Sequence, residues 1–296
     1  MSEVAITDAS GNPVTKSAVA DSFLAGWAPD GTELVCYRDG GYSLVSWDGK
    51  HSTKGRLPGA TDVLGTERVS YLPKSGTVIW SQQDGSRTVL ATPNGVLSEH
   101  EGWHGAQVAP SPNGKYVAIT GGGQHSHLWV YQMDRKTWLD LGETDIHPDR
   151  DWDYIKPSWN PWFADSSRLA YFTHHHSVLS ISTPVGKERT DVQIGGTAGL
   201  AAPSPDGKFI AFVTFEPRPQ KMRPDLQFWG GTRIWVVPVS GHPEPRPVTE
   251  KSSDETYDLR WVNDHVLVFD RVADMLFYKQ SRIWKVEVTR WSDSKP

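Results

Sequence analysis

Six times along the chain a run of alternating apolar and polar residues meets a tight polar turn, and an apolar run rich in β-branched and aromatic residues follows. The clearest copies are Ala28-Pro29-Asp30-Gly31 before Glu33-Leu34-Val35-Cys36-Tyr37, Ser111-Pro112-Asn113-Gly114 before Tyr116-Val117-Ala118-Ile119, and Ser204-Pro205-Asp206-Gly207 before Phe209-Ile210-Ala211-Phe212. Lys74-Ser75-Gly76, Asp165-Ser166 and Asn263-Asp264 mark weaker copies, ahead of Val78-Ile79-Trp80, Leu169-Ala170-Tyr171-Phe172 and Val266-Leu267-Val268-Phe269. A period of two predicts strands, and Asp or Asn followed by Gly supplies the positive φ that a hairpin turn between them needs. Each unit therefore reads as strand A, a turn and strand B. A further apolar run predicts strand C, as in Ser43-Leu44-Val45-Ser46-Trp47, Leu128-Trp129-Val130-Tyr131, Arg233-Ile234-Trp235-Val236-Val237 and Arg282-Ile283-Trp284-Lys285-Val286. A polar turn and a fourth run, as over 240–249, predict strand D.

The turn positions 31, 76, 114, 166, 207 and 264 lie 45, 38, 52, 41 and 57 residues apart. Four antiparallel strands repeated every 40 to 45 residues or so is the pattern of a propeller blade. The expected fold is all-β: a single six-bladed β-propeller domain over residues 1–296, with four-stranded antiparallel blades. Strands A, B and C of the last blade fall near 257–262, 266–270 and 282–288, and only 291–296 remain beyond, too few for its fourth strand. The N-terminal stretch 4–16 reads as two strands around a turn with no hairpin before them. It is expected to close the ring by pairing with the last blade, which removes exposed strand edges.

Composition narrows the partners. The chain is 37% hydrophobic and 22% charged, with 27 Gly and 21 Pro, which suits a turn-rich β protein. A formal net charge of -5 without a block of Lys or Arg excludes the basic footprint of a nucleic-acid binder. The lone Cys36 lies in an apolar run, has no partner for an internal disulfide, and reads as a buried small hydrophobe. The N-terminus lacks the basic start and apolar stretch of a signal peptide, and no segment approaches the roughly 18 apolar residues of a membrane span. A cytoplasmic protein with no membrane contact is expected. No Gly-x-Ser-x-Gly elbow, phosphate loop, dinucleotide fingerprint or Cys-based metal motif occurs, which disfavours serine-hydrolase and nucleotide chemistry.

The repeat resembles that of the TolB-like (WD40-like) propellers, whose pattern is Trp-Ser-Pro-Asp-Gly, then Ile-Ala-Phe, then Ile-Trp-Val, and the resemblance extends over almost the whole chain. It implies the fold; the family spans periplasmic transport components, peptidase propeller domains and sugar-acid lyases, so it does not by itself imply one function. His100-Glu101-Gly102-Trp103 and Ile146-His147-Pro148 are further similar to strings that precede strand A in oligogalacturonate lyases. That similarity implies lyase chemistry on a sugar acid.

Chemistry-bearing residues sort by face. With strand A innermost, the D-to-A and B-to-C connections emerge on one face and the A-B turns on the other. All of the 11 histidines except His51, His242 and His265 fall on the first face. His100-Glu101-Gly102-Trp103-His104 matches the zincin His-Glu-x-x-His string, but that motif needs a helix, and Gly102 and Gly105 flank a short link between strands. Residues two apart on extended backbone face one way, so His125 with His127, or His174 with His176, can present two imidazoles to one divalent metal. His104, His147, Asp151 or Asp153 would be the third ligand. The alternative is a set of solvated loop histidines with local hydrogen bonds.

His104, His127, His176, Asp151 and Asp153 are the candidate catalytic groups, as proton donors and acceptors. Trp103, Trp152, Tyr154 and Trp229 are candidate stacking residues for a substrate, and Arg150, Arg218 and Arg223 candidate partners for an anion. The insertion 215–230, with three prolines, reads as a B-to-C loop: either a stiff flap over the funnel or plain surface. Trp27, Trp47, Trp129, Trp162, Trp235, Trp261 and Trp284 occupy repeat positions and are expected in the core. Two readings of function follow. One is an enzyme acting on a polar or anionic small molecule or sugar, of lyase or hydrolase type, with a divalent metal as its cofactor in one version. The other is a non-catalytic module that holds a ligand, peptide or protein partner on the same face.

Overall fold

Local turn chemistry sets the strand pairing at the Ser111–Tyr116 and Ser204–Phe209 turns. The computed structural model describes residues 3–4, 19–20, 23–27, 33–38, 41–46, 51–56, 68–72, 77–83, 87–92, 94–101, 107–121, 127–145, 160–219, 227–241, 244–253, 256, 259–272 and 281–288. Residues 92 and 94 bracket Pro93, which lies outside them. Every regular element among the described residues is a β-strand, and none of them forms a helix long and apolar enough to cross a membrane. The chain divides into two compact units, residues 1–142 and 143–296.

In the first unit Glu3–Val4 (β1) pairs antiparallel with Val19–Ala20 (β2), Glu3 opposite Ala20. The described partner of the N-terminal strand is thus β2; of the stretch 4–16, on which ring closure is expected to draw, residues 5–16 lie outside the described residues. Three four-stranded antiparallel meanders follow. The first joins Phe23–Trp27 (β3), Glu33–Arg38 (β4), Gly41–Ser46 (β5) and Ser52–Arg56 (β6). The second joins Arg68–Leu72 (β7), Thr77–Gln83 (β8), Arg87–Thr92 (β9) and Gly95–Glu101 (β10). The third joins Gln107–Pro110 (β11), Tyr116–Gly121 (β12), His127–Gln132 (β13) and Thr137–Glu143 (β14). Leu90 of the second sheet is buried with Val108, Val117, Ile119 and Tyr131 of the third. The buried Tyr131 hydroxyl donates to the Leu97 carbonyl at 3.2 Å, and burial raises its pKa above the ordinary value.

The second unit begins with a three-stranded sheet, Leu169–Thr173 (β15), Val178–Ser182 (β16) and Arg189–Gln193 (β17). Along β15, Trp162 bridges to Leu169 and Asp145 to Phe172, so two separate contacts stand where a strand A was expected. Thr197–Pro203 (β18), Phe209–Pro219 (β19), Gln227–Pro238 (β20) and Arg246–Pro247 (β21) form a four-stranded sheet. The last sheet holds Leu259–Asn263 (β22), Val266–Val272 (β23) and Ser281–Glu287 (β24). Phe163, Phe172, Leu179, Ile210 and Phe212 are buried together between the first two of these sheets. Leu200, Val213, Phe215 and Ile234 pack with Leu259, Leu267 and Phe269 between the second and third. Trp162 is buried as its repeat position predicts, whereas Trp284 is 43% exposed. The difference follows from topology: β24 is the outermost described strand of its sheet, and no described strand covers its flank.

The described parts of the insertion, 215–219 and 227–230, are strands rather than the loop expected from its prolines. β19 and β20 run on as a hairpin, with Glu216 opposite Gly230, Pro217 opposite Trp229, Arg218 opposite Phe228 and Pro219 opposite Gln227, after a bulge between Thr214 and Glu216. β18 stops accompanying β19 at Phe215. Beyond it β19 has a single described neighbour, and prolines two apart place their nitrogens on one side of the strand, where no ladder bond is needed.

The Ser-Pro-Asx-Gly turns close identically. Ser204 N–H donates to the Phe209 carbonyl at 2.8 Å and Gly207 N–H to the Ser204 carbonyl at 2.9 Å. Ser204 Oγ donates to Asp206 Oδ1 at 2.7 Å and accepts the Phe209 N–H at 3.0 Å, while Lys208 N–H reaches Asp206 Oδ1 at 3.1 Å. Ser111, Asn113, Lys115 and Tyr116 repeat every one of these side-chain bonds. Gly114 and Gly207 sit at φ 69° and 70°, which an L side chain adopts only at a cost. Burial pushes the Asp206 carboxyl up, but hydrogen bonds from Ser204 and Lys208 and the Lys208 ammonium outweigh it and hold it below the ordinary value.

A carboxyl depressed in the folded state stabilises above its unfolded pKa of about 3.9 and loses that contribution as pH falls through the folded value. Because Asn113 makes the same bonds without charge, Asp206→Asn is expected to leave unfolding at pH 7 nearly unchanged and to flatten the loss of stability below about pH 4. Urea midpoints across that range check it; an unchanged acid limb would contradict the assignment.

Candidate functional site

Of the candidate residues, Trp103, His104, His125, Arg150, Asp151, Trp152, Asp153, Tyr154 and Arg223 lie outside the described residues. His147, offered as a third metal ligand, does too. Arg218 and Trp229 lie on β19 and β20, in strands rather than in a loop. His100 and Glu101 end strand β10, His100 opposite Thr88, so the first half of the His-Glu-x-x-His string is extended backbone. Among the described residues no three His, Cys, Asp or Glu side chains gather as a metal site. Two described histidine constellations remain, one in each unit.

In the first unit His127 opens β13. Its Nδ1 lies 3.1 and 3.0 Å from the two carboxylate oxygens of Asp140 on β14, and its ring stacks on Trp129, centroids 6.1 Å apart at 26°. Asp140 Oδ1 also accepts the Gly142 N–H at 2.8 Å, which fixes the carboxylate. Both side chains are about a third exposed, at 36% and 37%. A carboxylate accepts only, so Nδ1 carries the proton and Nε2 is the basic nitrogen of the neutral ring.

Comparison across sheets puts a second reading beside this one. Gly121 opposes His127 as Thr214 opposes Arg233, and each of these C-strand residues is followed two positions later by a tryptophan. The Arg233 guanidinium sits 5.4 Å over the Trp235 ring, and its Nε donates to the Thr249 carbonyl at 2.9 Å. His-Leu-Trp at 127–129, Arg-Ile-Trp at 233–235 and Arg-Ile-Trp at 282–284 share one sequence pattern, and in the first two the leading side chain lies on the tryptophan of its own strand. The signal was in the sequence and requires only that the C strands be aligned.

In the second unit the hairpin β15–β16 turns through His174, His175, His176 and Ser177. The sequence pattern predicts extended backbone at His174–His176; instead all three histidines have positive φ, 55°, 55° and 65°. Left-handed backbone costs an L residue about 1 to 2 kcal/mol, so three in succession persist only where their surroundings hold them. His176 is the clamp. Its N–H donates to Asp145 Oδ2 at 2.9 Å, its carbonyl accepts the Ala198 N–H at 2.9 Å, and its Nδ1 donates to the Ala198 carbonyl at 3.1 Å. Its Nε2 stands 4.0 Å from Asp145 Oδ1. Asp145 is itself held by its own N–H on the Phe172 carbonyl at 2.7 Å. Ser177 Oγ closes the turn on the His174 carbonyl at 2.7 Å. His174 and His175 stand exposed at the tip.

Beneath the tip, polar residues on one face of β15, β16 and β17 form a connected set that sequence reasoning missed. His174 Nδ1 lies 3.0 Å from Thr173 Oγ1, which lies 3.1 Å from Ser180 Oγ; Ser180 Oγ donates to Asp191 Oδ1 at 2.8 Å. Arg189 Nε donates to the same Asp191 oxygen at 2.7 Å, and its Nη2 to Thr173 Oγ1 at 3.3 Å. Burial pushes the Asp191 carboxyl up, but the bonds from Arg189 and Ser180 and the nearby charge of Arg189 prevail and hold it below its ordinary value. The alternation Val178-Leu179-Ser180-Ile181-Ser182 marks a polar face in the sequence, but the partners are assembled only by strand register.

No protein-family model matches the chain. No curated protein sequence matches it either. Solved structures do. A chain of the mitotic checkpoint complex is 13% identical, with a TM-score of 0.51 over 88% of this chain and 75% of its own. An oligogalacturonate lyase in complex with manganese is 11% identical, with a TM-score of 0.51 over 82% of this chain and 69% of its own. A protein described as a TolB, from Agrobacterium tumefaciens, is 14% identical, with a TM-score of 0.47 over 82% of this chain and 86% of its own. The mitotic checkpoint complex chain and the oligogalacturonate lyase are propellers of WD40 and oligogalacturonate lyase type, which agrees with the propeller resemblance read from the repeat.

Proposed function

We propose that the chain is a six-bladed propeller that binds a polar or anionic small molecule or sugar on its B-to-C face, with His174 and His175 as contact groups. One observation carries this reading: three consecutive left-handed histidines, clamped through His176 to Asp145 and Ala198, display two exposed imidazoles on a rigid tip. Backbone held in so unfavourable a conformation is characteristic of binding and active sites. The lyase among the structural neighbours makes oligogalacturonate the first ligand to try.

A second reading, proton-transfer catalysis, is favoured by the His127–Asp140 pair, whose Nε2 is oriented as a general base. One set of variants separates the two. Calorimetry with short galacturonate oligomers is expected to show binding that His174→Ala and His175→Ala each weaken about tenfold, as for a lost contact of ~1.4 kcal/mol, and that His265→Ala leaves unchanged. His127→Arg keeps a planar side chain over Trp129, as Arg233 lies over Trp235, but provides no base. Turnover of the oligomers that disappears in this variant while binding persists supports catalysis. Binding insensitive to both tip histidines refutes the proposed contact.

A further inference from the structure

Proton counting beneath the histidine tip determines which nitrogen the tip offers. The Asp191 carboxylate can only accept, so the single hydroxyl proton of Ser180 is committed to Asp191 Oδ1, 2.8 Å away. The Ser180–Thr173 contact at 3.1 Å then takes its proton from Thr173. With that proton spent, Thr173 Oγ1 has two lone pairs left. One accepts Arg189 Nη2 at 3.3 Å, and the other faces His174 Nδ1 at 3.0 Å, so His174 must be the donor. Thr173 Oγ1 is thereby saturated, and the one proton of Ser180 is committed. Ser180 is fully buried and Thr173 is 3% exposed, which leaves solvent little opportunity to rearrange the set. The Arg189 guanidinium beside Asp191 keeps the carboxylate charged, so the chain of donors has a fixed direction.

We infer that Asp191, Ser180 and Thr173 act as positioning residues that hold the neutral His174 ring with its proton on Nδ1, so that the tip presents the Nε2 lone pair and selects a hydroxyl or N–H donor of the ligand. The inference rests on the binding reading above and sharpens it. At this contact a sugar hydroxyl is favoured over a carboxylate, which would meet a lone pair. An anionic group of the same ligand is excluded from His174 as long as the ring is neutral. None of these three residues touches the ligand in this account; they act through His174.

The test is made first on the full chain without ligand. Long-range proton–nitrogen correlation of histidine-labelled protein near pH 8, above the ordinary imidazole pKa of about 6.5, reads the protonated nitrogen of each ring directly. The expected result is a protonated Nδ1 and an unprotonated Nε2 at His174. Thr173→Val removes the acceptor, and Ser180→Ala frees the Thr173 proton to turn towards the ring; both are expected to move the His174 proton to Nε2. Thr173→Ser, which keeps the hydroxyl, is expected to retain it on Nδ1. A His174 ring protonated on Nε2 in the unsubstituted protein overturns the inference, as does one whose tautomer ignores both substitutions. In the calorimetric experiment Thr173→Val should then weaken galacturonate binding as far as His174→Ala does. Failure of the unsubstituted protein to bind any oligomer would fall on the proposed function, while the tautomer would still be read from the ligand-free spectra.

Discussion

Replacing Phe212 by alanine is expected to lower the unfolding free energy of the 143–296 unit by about 3 to 5 kcal/mol, the usual loss for emptying a buried aromatic position. The side chain is fully buried on β19 and meets Phe172 edge-on, ring centroids 6.0 Å apart at 65°. Phe163, Leu179, Ile181 and Val237 belong to the same buried cluster and come from several strands. Removing the ring therefore loses transfer energy, the aromatic pair and the packing of two sheets at once. Val262→Ala, at a position 64% exposed, is the control and should change little. Urea unfolding with an unchanged slope and a displaced midpoint would show that the loss is one of stability. Equal midpoints for the two variants would contradict the assignment of the core.

The second large effect is expected at Asp145. Its carboxylate receives the His176 N–H, and no backbone group of a left-handed turn can easily exchange that bond for another. Asp145→Ala leaves the donor without its acceptor, which costs about 1 to 3 kcal/mol, and removes a brace from backbone that is already unfavourable. The amides of Ser177 and Ala198 should exchange faster with solvent deuterium, because both bonds depend on the shape of the turn. Binding at the tip should weaken with them. Asp145→Asn keeps an oxygen acceptor and should show a fraction of each effect. If the alanine variant protects these amides as fully as the native chain does, His176 is not the clamp.

The parts of this fold that were legible in sequence are those decided within six residues. Ser111–Tyr116 and Ser204–Phe209 announce their hairpins because serine, the Asx side chain and glycine close the turn among themselves. At Asp165 the turn is visible although Ser166, at φ 61°, stands where four of the other copies have glycine. Features decided at long range were misread. The histidine turn takes its shape from Asp145 and Ala198, 31 and 22 residues from His176, and nothing within 174–177 requires left-handed backbone. Prolines made 215–230 look like a loop, although their spacing of two at Pro217 and Pro219 suits a strand with one open side. Trp284 matched the tryptophans of the repeat, and its exposure follows from its outer position in a sheet with three described strands. The hydroxyl set under His174 needs the register of β15, β16 and β17 before its members can be named.

The account depends on the histidine tip being the place where a ligand is held, and resolving the imidazole signals individually during a titration with short galacturonate oligomers tests this most directly. His174 and His175 should shift together along one saturable curve, while His265, in an A-B turn, stays where it is. Signals from the tip that remain fixed to saturating concentration, or a His265 signal that moves in step with them, would contradict it.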